Sequence, residues 1–148
     1  MALLPEQVLS GTTGVVLDQD PRTRMELLHT LTEAGAMIGL AGSLSEVTEK
    51  IVVQSVEFVV VSGATLDMRE LMELFVFLIE HGRGCHAVLV GAPLEAGRVP
   101  PWAKTVDVDS DASRLLIACT QAAHGCRGYR MCETVGEKSL PSEAQLPN

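Results

Sequence analysis

Two groups of acidic side chains are the part of this chain best equipped for chemistry. Asp18 and Asp20 close the run GVVLDQDP at Gly14–Pro21, and Asp107 and Asp109 sit in the run TVDVD that begins at Thr105. Carboxylates are hard oxygen donors suited to Mg²⁺ or Ca²⁺, and they act as nucleophiles or proton acceptors where their surroundings tune them. If Asp18, Asp20 and Asp107 or Asp109 converged, they could hold a cation or line a small-ligand cavity. Helix capping accounts for Asp20 and Asp109 without any ligand. A carboxylate just before a helix accepts its orphan N–H groups, and Pro21 suits the first helical position, where a missing N–H costs nothing. Capping is the preferred reading, so no metal is assigned and Asp18 and Asp20 stand only as weak candidates.

The other reactive side chains form no constellation. Of the cysteines, Cys85 precedes an apolar strand and Cys119 lies within an apolar helix, as small buried thiols do. Cys126 and Cys132 are spaced C-x₅-C with His124 nearby, but a zinc site needs four convergent ligands and there is no second pair. His29 and His81 fall within helices, His86 at a strand start and His124 after the last helix. No nucleophile–base pair and no glycine-rich phosphate loop is visible, since Ser10-Gly11-Thr12-Thr13 precedes a strand instead of following one. An enzyme is not expected, and no cofactor is assigned.

Alternating strands and helices must position these groups. Val15–Asp18, Ala36–Leu40, Glu57–Val61, His86–Val90 and Thr105–Val108 are short apolar runs of the kind that parallel strands covered on both faces require. Arg22–Ala34 reads as a helix stopped by Gly35, and Leu44–Gln54 as a helix opened by a Ser43–Glu46 capping box. Met68–His81 follows the loop Ser62–Asp67. Leu71, Leu74, Phe75 and Leu78 can face the sheet, which leaves Met72, Val76, Phe77 and Ile79 on other faces. A helix apolar nearly all round is buried, by neighbouring loops or by a partner subunit.

Gly97 and Pro100-Pro101 leave the fourth helix, within Leu94–Ala103, short or broken. The last helix is capped by Asp109, Ser110 or Asp111, uses Leu115, Leu116 and Ala118 as apolar positions, and is expected to end near 123–125. Right-handed crossovers turn this five-fold βα order into a doubly wound α/β fold, a five-stranded parallel sheet of order 2-1-3-4-5. The expected organisation is a lead-in over 1–13, one domain over 14–125 and a mostly disordered tail over 126–148.

Composition narrows the function classes. An apolar fraction of 47% in 148 residues supports a real core, and 3% aromatics means that aliphatic residues build it. A net charge of −8 argues against nucleic acid as a direct partner and against an anionic membrane surface. With no signal-peptide pattern and no apolar run long enough to cross a bilayer, the expected location is cytoplasmic.

The opening VVLDQDPRTRMELLHTLTEAG, the later stretch SVEFVVVSGATLDMRELMEL and the overall βα spacing together resemble the receiver (CheY-like, flavodoxin-like) domains of response regulators in two-component signal transduction. The resemblance covers residues 14–123. It implies an acidic pair after the first strand that binds Mg²⁺, and an Asp ending the third strand that takes a phosphoryl group from a histidine kinase in a phosphorelay. It also implies a Ser/Thr after the fourth strand and a Lys after the fifth, both reading out the phosphoryl oxygens. Carried over by position, these fall on Asp18, Gln19, Ser62, Gly91 and the Asp107 region, with Lys104 too early for the lysine. Only Asp18 keeps the required chemistry.

The resemblance thus implies a pseudo-receiver, a phosphorylation-independent module acting by protein–protein interaction. Its partner is expected to be another signalling or regulatory protein, or a second copy in a homodimer. In receivers the face of helix 4, strand 5 and helix 5 carries such contacts, which makes Trp102 an interface candidate beside Met72, Val76, Phe77 and Ile79. The alternative is a flavodoxin-like domain that binds a small ligand or cation at its acidic strand ends.

Overall fold

The computed structural model describes residues 8–62, 66–91, 103–107 and 112–139, with side chains described as far as residue 128. Five strands form one parallel sheet: β1 (Thr13–Leu17), β2 (Met37–Ala41), β3 (Phe58–Ser62), β4 (His86–Val90) and β5 (Ala103–Val106). Their spatial order is β2-β1-β3-β4-β5, as the βα rhythm requires. Four helices complete the described fold: α1 (Pro21–Glu33), α2 (Leu44–Val53), α3 (Met68–His81) and α4 (Ala112–Ser139).

Side chains alternate along the strands and so divide the core into two layers. Val15, Leu17, Val59, Val61, Ala87 and Leu89 pack with Val47, Ile51, Leu71 and Leu74 of α2 and α3. Val16, Phe58, Val60, Val88 and Val106 pack with Leu31 of α1 and with Leu115, Leu116 and Cys119 of α4. β3 lies at the centre and is buried along its whole length, whereas β2, at an edge, is half open. Each fully buried aliphatic side chain contributes about 1.5–3 kcal/mol relative to exposure.

Local signals set the helix ends. The Asp20 carboxylate accepts from the Arg22 N–H at 3.2 Å and the Thr23 hydroxyl at 2.9 Å, with Pro21 opening α1. Gly35 follows that helix at φ 100°, a left-handed conformation that glycine adopts without strain. Ser43 accepts from the Glu46 N–H, but the Glu46 carboxylate reaches one residue further back, to the Gly42 N–H. At α3 a full reciprocal box forms between Asp67, the last residue of the expected loop, and Glu70.

Several expectations need correction. Residues 8–13 are not a detached lead-in. Leu9 is wholly buried, its N–H donates to Ala34 O at 2.7 Å, and Thr13 already belongs to β1. β5 lies two residues earlier than Thr105–Val108 and takes in Ala103. The last helix does not end near 123–125 but continues to Ser139, so the first part of the expected disordered tail is helical. The reason lies at Gly125. A Cβ there would stand 2.5 Å from the His86 ring, so this glycine allows close packing of α4 on β4 instead of stopping the helix. The broken fourth helix, the caps Asp109, Ser110 and Asp111, and residues 140–148 lie outside the described residues.

Candidate functional site

Strand register decides what meets at the C-terminal edge of the sheet, where open α/β folds place their sites. Leu17 pairs with Val61, Val61 with Leu89, and Leu89 with Thr105. The next row along therefore holds Asp18, Ser62, Val90 and Val106, and the row beyond it holds Gly91 and Asp107. Asp18, Gln19, Ser62, Gly91 and Asp107 thus lie at one edge. Lys104 pairs with Val88 in the middle of the sheet and is not among them.

The first strand's acidic end is committed to local structure. Asp18 is only 5% exposed; its Oδ1 accepts from the Asp20 N–H at 2.8 Å, and its own N–H donates to Ala41 O at 3.1 Å. Gln19 and Asp20 are exposed. The Thr23 hydroxyl first, and the Arg22 N–H next, hold the Asp20 carboxyl below the usual carboxylate range, because both bonds favour its charged form. Asp20 therefore serves the start of α1.

Ser62 ends β3 and is 7% exposed, with Val90 opposite it in register. Gly91 follows β4 at φ 66° and donates to Val106 O at 2.8 Å. A serine or threonine would be strained in that backbone conformation, which is a physical reason for glycine there. Asp107 is exposed just after β5. Among the described residues no group of three or more His, Cys, Asp or Glu side chains is arranged to hold a metal ion. Asp18, Asp20 and Asp107 do not form one, and Asp109 lies outside the described residues.

The sequence reading gave no role to Arg24. From the second turn of α1 its Nη1 donates to Asp18 O at 3.2 Å. A Cβ on Gly42 would approach that same nitrogen to 2.7 Å, so Gly42 makes room for the guanidinium between β1 and the start of α2. Its only sequence signal was a position four residues beyond the cap, too common a pattern to single it out.

The interface candidates separate. Met72, Val76 and Ile79 are exposed on α3, whereas Phe77 is half-buried against the core with its ring centroid 5.0 Å from that of His81. Val52 and Val53, at the end of α2, are also exposed and had not been singled out. Trp102 lies outside the described residues. Cys85, Cys119 and Cys126 are buried thiols outside any disulfide, and burial pushes the Cys119 thiol up to about 12. Among the described residues no helix is long and apolar enough to cross a membrane.

No protein-family model matches the chain, and no curated protein matches it. Solved structures do. A response regulator receiver protein from Sinorhizobium medicae is 18% identical with a TM-score of 0.67, over 78% of this chain and 96% of the other. The signal receiver domain of an HD domain-containing protein from Pseudomonas fluorescens is 14% identical with a TM-score of 0.66, over 88% and 97%. The beryllofluoride-activated NtrC receiver domain is 14% identical with a TM-score of 0.59, over 76% and 94%. The chain has the CheY-like receiver fold.

Proposed function

We propose that this chain is a non-enzymatic, receiver-like regulatory module of two-component or transcription-control signalling. It works in the cytoplasm by contact with another protein and without phosphoryl transfer. The observation that carries the reading is Ser62, which ends β3 in the same row as Asp18, where the receiver pattern has its phosphoacceptor Asp. A carboxylate forms an acyl phosphate; a serine hydroxyl, far less acidic, does not take its place.

The neighbouring positions support the same conclusion. Gly91 has no hydroxyl, and Asp107 puts a negative charge where the pattern has a lysine. A carboxylate there repels a developing phosphoryl charge instead of stabilising it. Asp20, next to the neutral Gln19, is used as a helix cap. Phosphoryl transfer depends almost entirely on positioned charge, and here the charge has the wrong sign.

The test is an amide NMR titration with Mg²⁺ and then beryllofluoride, followed by intact-mass analysis after incubation with acetyl phosphate. The expected outcome is an unchanged spectrum around Asp18, Gln19 and Ser62, and no phosphoryl adduct. Shifts clustered at those three residues, or an adduct, would overturn the reading.

A further inference from the structure

We draw no further inference here: the strongest candidate, a cleft of about 850 Å³ between β5 and the start of α4 lined by Lys104, Thr105, Ser113 and Arg114, lies on the face that the receiver resemblance already assigns to protein contacts, and nothing in the structure shows what fills it.

Discussion

Arg127 Nε donates to Glu57 Oε2 at 2.5 Å, and Arg127 Nη2 donates to Gly11 O at 3.0 Å. The Glu57 side chain is nearly buried, and its other oxygen accepts from the Thr13 N–H at 2.9 Å. One arginine thus ties α4 to the start of β3 and to the turn before β1. The Glu57 hydrogen bond holds its guanidinium even more firmly in the charged form. These contacts lie at the opposite edge of the sheet from Asp18 and Ser62 and serve the fold.

Arg127→Ala leaves a largely buried carboxylate without its counter-charge. The expected cost is about 1.5–3 kcal/mol, the range for hydrogen bonds to charged groups. Urea unfolding should show a lower midpoint at unchanged slope. A chain ending at residue 125 should show at least the same loss.

Gly14→Ala should destabilise by about 1–3 kcal/mol through overpacking. An added Cβ would lie 2.4 Å from Phe58 Cε1, and that ring is wholly buried and has little room to move. In a Phe58→Leu background the same substitution should cost less, because the two side chains share one space. Thermal unfolding of the four proteins in the cycle measures this coupling; additive costs would exclude the clash as the cause.

Cys119 should resist alkylation in the native state at pH 8 and react only after unfolding, since the thiolate is the nucleophile and burial raises its pKa from 9.0 to about 12. The linkage has a definite sign. Between about pH 9 and 12 the unfolded chain releases the thiol proton while the folded chain keeps it, so stability declines as pH rises through that window. Cys119→Ala should flatten the decline. Mass spectrometry after timed iodoacetamide exposure tests the reactivity, and unfolding curves at several pH values test the slope.

Asp20 should contribute stability that is full above its ordinary pKa of 3.8 and is lost as pH falls through its depressed folded value. Asp20→Asn keeps a capping oxygen but removes the titration, so it should weaken the pH dependence of unfolding in that acid range. Carboxyl NMR titration of the wild type checks the direction; an Asp20 midpoint above the ordinary value would contradict it.

The βα rhythm, the sheet order and the bounds of α3 and β4 were legible in the sequence, because each follows from local pattern. Apolar runs need two covered faces, and a helix opening at Met68 is marked by hydrophobic spacing and by what precedes it. The positions at the C-terminal edge, Asp18, Gln19, Ser62, Gly91 and Asp107, were legible for the same reason, since strand ends are set by the chain itself. The tertiary structure alone decided the rest. Gly125 looked like a helix stop, because an isolated glycine carries no sign of the His86 ring pressed against it. Leu9 belongs to an unpatterned opening in the sequence, yet it is wholly buried and bonded to the end of α1. Arg127 and Glu57 lie 70 residues apart, and Arg24 reaches a backbone carbonyl. Local signals bias the backbone over a few residues, but close approach, burial and charge pairing between distant segments exist only once the chain has packed.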